Sequence, residues 1–312
     1  MLQSFNPANR DLIVNINGTL VHRDQAGISP FDSAVQNGDA VWEGLRLYNG
    51  RIFKLTEHLN RLQAGARALA YQNVPSSQAI TGEIRRTLAA NGMTDNVHIR
   101  LTLSRGVKYT SGMDPRVNLG QPTLIILAEH KAPVYDKAGI RLITSGIRRI
   151  PPDCLDQNIH SCNMLNSILA KMQANAAGVD DCMMLDIHGF VAETNATHLF
   201  FVENGVVATP YTDSCPEGIT RATVLDLCGE HAIPHAVRNI SLSEVYRAEE
   251  IFCTGTMGEL APVVEIDGRR MGNDKAGPMT ARLSELYKEL TATTGTQVVA
   301  QGVTQGVTQG VG

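Results

Sequence analysis

The chain has 312 residues, which is long for one hydrophobic core, so two domains that share a cleft are expected. Its 43% apolar and 19% charged residues are typical of a globular protein, and its net charge of -4 gives no reason to expect nucleic acid or a membrane as partner. The chain shows neither a signal-like N-terminus nor a long apolar run, and its cysteines form no CxxC pair, so a cytoplasmic protein is predicted.

Strand-like and helix-like segments alternate over residues 1–130. "LIVNING" and "TLVHRD" predict a hairpin around Asn17 and Gly18. The apolar spacing of "RIFKLTEHLNRLQAGARALA" and "SQAITGEIRRTLAANG" predicts two helices, and "NVHIRLTLSRG" and "PTLIILAEH" predict strands. We therefore expect a smaller N-terminal α/β domain in this range.

Residues 131–139, "KAPVYDKAG", predict the interdomain linker. Beyond it, a larger, strand-rich mixed domain is expected over residues 140–292, with a helix from about Met164 and another in "EGITRATVLDLCGEHAI". The fold class is thus α/β, or mixed α+β, with the cleft between the domains. Residues 293–312 repeat a Gln-Gly-Val-Thr unit and are expected to form a disordered tail.

Two short motifs could hold a phosphate group. "CPEGITRATV" places Gly218, Ile219 and Thr220 at the start of a helix, where unpaired backbone N–H groups and the helix dipole favour an anion. "FCTGTMGELAPV" offers a second corner at Thr256. Taken singly, each motif is better explained by a capped helix or a tight turn than by a phosphate site.

Three charged residues stand in suggestive places. Arg100 lies in an alternating strand, where burial would require an anion such as a substrate carboxylate. Glu193 lies between two apolar strands and could face a heterocyclic nitrogen, although exposed hairpin carboxylates are common. Arg61 could be part of a solvated helix face. No metal-ligand spacing, GxGxxG, Walker A or GxSxG motif is present, so no metal site is predicted.

Together these segments resemble the fold-type IV pyridoxal-phosphate enzymes, the class IV aminotransferases. "NGDAVWEGLRLYNGRIFKLTEHLNRL" is similar to the family's GDxxFEG…NGxxF…HxxRL block, and "LNSILAKMQANAAGVDDCMMLDIHGFVAETNATHLF" to its LNNxLAKxEA…E…NLF block. The order and spacing of the blocks are closest to the branched-chain aminotransferases. The resemblance implies pyridoxal phosphate as cofactor, an apolar amino acid and a 2-oxo acid as substrates, and a homodimer.

The resemblance also implies a role for individual residues. The cofactor would be held by Arg61, Glu193, Gly218, Ile219, Thr220 and Thr256, and the substrate by Trp42, Arg100 and Met257. Glu193 would face the pyridine nitrogen. The family's lysine, which holds the cofactor aldehyde as an imine, falls at His160. Histidine near neutrality can move a proton, but it cannot form that covalent bond, so cofactor binding is predicted to be non-covalent.

Three interpretations stay open. In the first, an aminotransferase binds pyridoxal phosphate non-covalently and uses His160 as base, with impaired or altered turnover. In the second, another lysine takes over; Lys108 is the candidate, because its loop should overhang the cleft, whereas Lys171 lies about 16 Å along a helix at about 1.5 Å rise per residue and is expected at the surface. In the third, the protein binds the cofactor or regulates without catalysis, or has a related lyase activity.

Overall fold

The structure, a computed structural model, describes residues 4–272 and 275–299. The first part of the chain forms these strands and helices: β1 Ile13–Ile16, β2 Thr19–His22, α1 Ser33–Asn37, β3 Ala40–Tyr48, β4 Arg51–Ile52, α2 Leu55–Ala68, α3 Ser77–Ala90, β5 Val97–Ser104 and β6 Thr123–His130. The predicted hairpin is confirmed, since β1 pairs with β2 around Asn17 and Gly18.

The second part contains more strands. Its elements are β7 Ile140–Thr144, α4 Leu165–Ala176, β8 Asp181–Leu185, β9 Val191–Thr194, β10 His198–Glu203, β11 Val206–Thr209, α5 Ile219–Glu230, β12 His235–Val237, α6 Leu242–Val245, β13 Glu250–Gly255, β14 Glu259–Ile266, β15 Arg269–Arg270, α7 Pro278–Thr293 and β16 Thr296–Gln297.

These strands form two sheets. The first has the order β16-β4-β3-β5-β6-β1-β2, and all its neighbours are antiparallel. The second has the order β12-β11-β10-β13-β14-β7-β8-β9, with β15 paired to β14. Parallel pairs join β11 to β12 and β7 to both β14 and β8. The mixed α/β fold with a strand-rich second part is therefore as predicted.

Alternation along the strands decides which side chains reach the core and which reach the cleft. In β5, Ile99 and Leu101 are fully buried against the core that α2 and α3 cover, whereas His98 and Arg100 point to the other face. In β10, by contrast, both faces are buried: Leu199 packs in one core and Phe200 in another, on the side of α5 and α7. The first sheet thus keeps one polar face for a site, and the second sheet is enclosed.

Residues 131–139 carry neither helix nor strand between β6 and β7, and the boundaries drawn there remain a prediction. The prediction of a disordered tail from residue 293 was wrong for its first residues. Thr296 and Gln297 pair with β4, and Val298 is buried in the first core, because the strand edge beside Ile52 offers both hydrogen bonds and apolar surface. Residues 300–312, with the rest of the repeat, lie outside the described residues. None of the helices in the described part has the length and apolar character needed to span a bilayer.

Candidate active site

A cavity of about 420 Å³ lies between residues of the two sheets, a size typical of a small-molecule site. It is lined by every residue predicted to bind cofactor or substrate, namely Trp42, Arg61, Arg100, His160, Glu193, Gly218, Ile219, Thr220, Thr256 and Met257. The first sheet contributes the face that carries Trp42 and Arg100, and the second contributes the ends of β9, β10 and β13 and the start of α5. The structure therefore brings the separate motifs together.

Glu43 organises one wall of this cavity, and its role was missed from the sequence. Its side chain is 0% exposed and accepts hydrogen bonds from Arg61 Nε at 2.7 Å, Arg61 Nη2 at 2.8 Å and His58 Nδ1 at 2.6 Å. Burial alone would raise the pKa of Glu43, but the bonds from Arg61, His160 and His58 hold that pKa well below its usual range. Glu43 is thus an ionised carboxylate that fixes the Arg61 guanidinium.

Arg61 reaches from α2 to the start of α5. Its Nη1 donates to the carbonyl of Glu217 at 2.5 Å, next to Gly218. Gly218 is the N-cap of α5 and provides no side-chain cap, so the first backbone N–H groups of that helix need another acceptor. A Cβ at position 218 would overlap the ring of His198, which explains the glycine. Arg61 and the helix start together form an anion site.

A second donor lies at the same end of the cavity. Thr254 is 1% exposed and its hydroxyl has no hydrogen-bond partner among the described residues, which is costly unless a ligand supplies one. Gly255 and Thr256 follow in the turn between β13 and β14 and also line the cavity. The residues at this end therefore fit a phosphate group.

Glu193 lies deeper in the site, on β9. Its Oε1 is 2.8 Å from Arg149 Nη2, and Arg149 is also held by the Ser214 carbonyl and the Ser167 hydroxyl. Burial raises the pKa of Glu193 to about 7, against the opposing effect of the arginines Arg149 and Arg61. The ion pair at 2.8 Å keeps a carboxylate in this position that can accept a proton or a hydrogen bond from a ligand.

His198, from β10, packs beside Glu193. Its Nε2 lies 4.0 Å from Glu193 Oε2, and its Nδ1 lies 4.0 Å from Cys215 Sγ. Burial and the neighbouring arginines lower the pKa of His198 to about 3, so the ring is neutral. These three side chains are close enough for a metal ion. However, Arg149 already forms an ion pair with Glu193 at 2.8 Å and so compensates the charge of this carboxylate.

Beside Arg61, the cavity wall is built from stacked rings. His160 stacks on Trp42 with 4.3 Å between centroids, and the Arg100 guanidinium lies 3.6 Å from the Trp42 ring centroid. Backbone pairing sets this register: Trp42 N donates to the His160 carbonyl and Cys162 N to the Ala40 carbonyl. The segment before α4 is thus held beside β3 by an isolated β-bridge between Val41 and Ser161, which places His160 against Trp42.

Two lysines line the cavity, Lys131 and Lys171, but the predicted candidate Lys108 does not. Lys108 is 3% exposed, lies outside the cavity lining and is bonded to Asn37 and to the Gly112 carbonyl, so its loop folds back onto α1 instead of over the site. Lys171, expected at the surface, lines the cavity and forms an ion pair with Asp181 at 2.9 Å. Lys131, which the sequence did not single out, also lines it. Because α4 packs on β8, Lys171 reaches Asp181 at the start of that strand, which the distance along the helix alone did not predict.

Comparisons with known proteins agree with this geometry. The family model for amino-transferase class IV matches residues 40–266. The branched-chain-amino-acid aminotransferase-like protein 2 of Arabidopsis thaliana is 53% identical over 94% of this chain, but the match covers 52% of that protein. A putative branched-chain-amino-acid aminotransferase of Methanocaldococcus jannaschii is 40% identical over 91% of this chain and 98% of its own length. The chain thus spans about half the length of the Arabidopsis relative and nearly all of the archaeal one.

A solved structure extends the likeness to the fold. The branched-chain aminotransferase of the thermophilic archaeon Thermoproteus uzoniensis, crystallised with norvaline, has a TM-score of 0.83 and 29% identity, covering 90% of this chain and 95% of that one. Fold and site together define a two-sheet enzyme scaffold with an anion site beside a buried carboxylate. The chain belongs to the class IV aminotransferase family.

We predict that the protein loses stability in mild acid, because the fold keeps the buried histidine His98 neutral. Burial, with the charges of Lys131, Arg46 and Arg100, lowers the pKa of His98 from 6.5 to about 3, and neither ring nitrogen has a partner among the described residues. Between these values the unfolded chain binds more protons than the folded chain. Stability should therefore fall as the pH drops below 6.5, by about 1.4 kcal/mol per unit for each such histidine.

Urea unfolding at several pH values between 6.5 and about 5 measures this slope, a range chosen because it lies below the ordinary histidine pKa. His98→Asn should flatten the slope relative to the natural protein, since asparagine cannot take up the proton. His188→Asn, in the exposed turn after β8, is the matched control for removing a histidine. Equal slopes for the natural protein and His98→Asn would show that His98 is not kept neutral by the fold.

Proposed function

We propose that this chain binds pyridoxal 5'-phosphate without a covalent bond and transfers an amino group between an apolar, branched-chain-like amino acid and a 2-oxo acid, with turnover impaired or altered because His160 replaces the family lysine. One observation carries the proposal: an anion site and a buried carboxylate lie at different depths of the same cavity. Arg61 with the start of α5 provides the first, and Glu193 provides the second. A phosphate and a ring nitrogen are the ligand groups that match them.

Each of these residues has a defined task. Arg61, Thr256 and the backbone N–H groups of Ile219 and Thr220 would hold the phosphate. Glu193, as a carboxylate, would accept a hydrogen bond from the protonated ring nitrogen and so keep that nitrogen protonated, and Arg149 would hold the carboxylate in place. The cofactor, when bound, supplies an electron sink for the bonds at the substrate α-carbon. The residues themselves bind, orient and exclude water.

The substrate side has its own tasks. Arg100 is available for a substrate carboxylate, because it contacts Thr102, Cys162 and the Trp42 ring and forms no ion pair within the described residues. Trp42 covers the site with an apolar surface and supports His160 by stacking. His160 would move the proton at the substrate α-carbon, a task for which a neutral imidazole is suited. The apolar substrate class rests on the likeness to the branched-chain enzymes.

Reductive trapping tests the proposal. The purified chain should bind pyridoxal phosphate and show free-aldehyde absorbance, and borohydride followed by peptide mass mapping should fix no adduct, because His160 cannot hold the aldehyde and Lys171 is engaged by Asp181. A fixed adduct at Lys131, Lys171 or Lys108 would overturn non-covalent binding. Absence of any binding would overturn the cofactor assignment itself.

Two variants sharpen this experiment. Glu193→Gln should weaken binding of the cofactor, because the amide cannot serve as an anionic partner for the ring nitrogen, while leaving the phosphate residues intact. His160→Lys should create a borohydride-fixable adduct that maps to position 160, since it restores the amine. Binding without a new adduct in His160→Lys would show that this position does not face the aldehyde. Binding by the natural chain with no amino-group transfer to any 2-oxo acid would favour the non-catalytic interpretation.

We further propose that the chain forms a homodimer through α4. Four large apolar side chains at helical spacing lie exposed on this helix: Leu165, Ile168, Leu169 and Met172 are 66%, 53%, 42% and 59% exposed. A contiguous apolar stripe of this kind on a folded protein is typical of an interface. A second copy of the chain is the partner that the family likeness supports.

Sedimentation velocity tests the dimer. The natural chain should sediment at twice the mass of one chain, and Ile168→Asp should shift it toward the monomer, because a charge in a buried apolar interface is costly. Ile187→Asp, at an apolar residue that is 55% exposed in the turn after β8, is the matched control and should remain dimeric. A monomeric natural chain, or equal effects of the two substitutions, would contradict an interface on α4.

A further inference from the structure

The two ring nitrogens of His160 have different surroundings. Nδ1 lies 3.4 Å from Glu43 Oε1 and 3.5 Å from Arg61 Nη2. Nε2 forms no side-chain hydrogen bond within the described residues, the ring also meets the backbone of Trp42, and His160 lines the cavity. A neutral imidazole carries its proton on one nitrogen only, so what faces Nδ1 decides which nitrogen can accept a proton from a ligand.

Glu43 and Arg61 make opposite demands on Nδ1. The carboxylate requires a proton there, because a lone pair facing a buried anion is repulsive. The guanidinium would favour a lone pair there, but its nearest nitrogen, Nη2, is 3.5 Å from Nδ1, a long distance for a hydrogen bond, and donates to Glu43 Oε2 at 2.8 Å. Glu43, which is fully buried, has accepted three hydrogen bonds and retains capacity for a fourth. The geometry therefore favours donation from His160 Nδ1 to Glu43.

The rest of the surroundings hold this arrangement in place. Stacking on Trp42 fixes the plane of the His160 ring, and the backbone bond from Trp42 N to the His160 carbonyl fixes its position along β3. The adjacent strand residue, Glu43, points to the α2 side, where His58 and Arg61 meet it. Trp42 thus fixes the His160 ring, and the next residue of β3, Glu43, supplies the carboxylate. Because both residues belong to one strand, the ring and the carboxylate keep their relative orientation.

We propose that Glu43 is a positioning residue that fixes the tautomer of His160, with the proton on Nδ1 and the lone pair of Nε2 directed into the cavity. This inference rests on the proposed function, in which His160 accepts the proton of the substrate α-carbon. The resulting pair is a carboxylate–histidine dyad in which Glu43 orients the base and stabilises its protonated form without touching substrate or cofactor. The same carboxylate holds Arg61, so one buried charge sets both the proton acceptor and the anion site.

The charges around His160 come from several elements. Glu43 on β3 favours its protonation, and Arg61 on α2 opposes it. His198 on β10, which burial keeps neutral, and Arg100 on β5, beyond the Trp42 ring, complete the set. Burial is the largest influence and lowers the pKa of His160 below its ordinary value. Removal of the Glu43 charge should therefore lower that pKa further and release the tautomer.

Nitrogen-15 NMR of the histidine-labelled chain tests the tautomer directly, with no cofactor or substrate present. Long-range correlations from the ring protons distinguish a protonated from an unprotonated ring nitrogen, and the signals of His160 are those missing in His160→Gln. The expected result is a neutral ring with Nδ1 protonated and Nε2 unprotonated. A natural chain with the proton on Nε2 would overturn the proposal, whatever the variants do.

Two variants separate positioning from structural support. Glu43→Gln should move the proton of His160 from Nδ1 to Nε2 and shift the titration of His160 to lower pH. Without the Glu43 charge, the charge nearest to Nδ1 is the Arg61 guanidinium, which favours a lone pair on that nitrogen. His58→Gln removes another partner of Glu43 but keeps the carboxylate, so the tautomer should stay as in the natural chain. An unchanged tautomer in folded Glu43→Gln would overturn the role of Glu43. If Glu43→Gln does not fold, the spectrum of the natural chain still decides.

The outcomes are distinguishable from failure of the proposed function. The tautomer is read from the chain alone, and pyridoxal phosphate binding is read from the trapping experiment. If His160 shows the expected tautomer but the chain does not bind pyridoxal phosphate, the proposed function is wrong and the dyad remains a property of the fold. Cofactor binding with the His160 proton on Nε2 would leave the proposed function standing but would overturn the dyad, because His160 would then have no orienting partner.

Discussion

The ion pair between Glu43 and Arg61 is the interaction on which the rest of the site depends. A carboxylate that is fully buried must be compensated by hydrogen bonds and positive charge, and Arg61 supplies both in a bidentate contact. One N–H of its Nη1 donates to the Glu217 carbonyl in the loop before α5. Through one side chain the first sheet is therefore coupled to the anion-binding end of the second sheet.

This coupling also accounts for the contrast between the two ends of the cavity. At one end, Arg61 and the uncapped start of α5 offer N–H donors where a phosphate fits. At the inner end, burial disfavours charge, which raises the pKa of Glu193 and lowers that of His198. A ligand with an anionic group on one side and a protonated ring nitrogen on the other satisfies both ends.

Much of this was predictable from the sequence, because local patterns carried it. The alternation in β5 placed Arg100 on the face opposite Ile99, and the glycine before Ile219 marked the start of α5. Other features depend on contacts between distant segments that no local pattern encodes. Glu43 was missed because a carboxylate within an apolar strand is interpretable only once His58 and Arg61 are seen to meet it. Lys171 was misplaced because linear distance ignored how α4 packs on β8, and Val298 because a repetitive composition concealed an edge pairing.

In the proposed function, the site would hold its cofactor by phosphate and ring contacts and not by a covalent bond. Calorimetric dissociation constants for pyridoxal phosphate and pyridoxamine phosphate test this most directly, because the two differ at the position where a lysine would bond. Without that bond, the aldehyde and amine forms should bind within about tenfold of each other, a difference of about 1.4 kcal/mol or less. Binding of the aldehyde form that is tighter by orders of magnitude would contradict the account and require a lysine in the site.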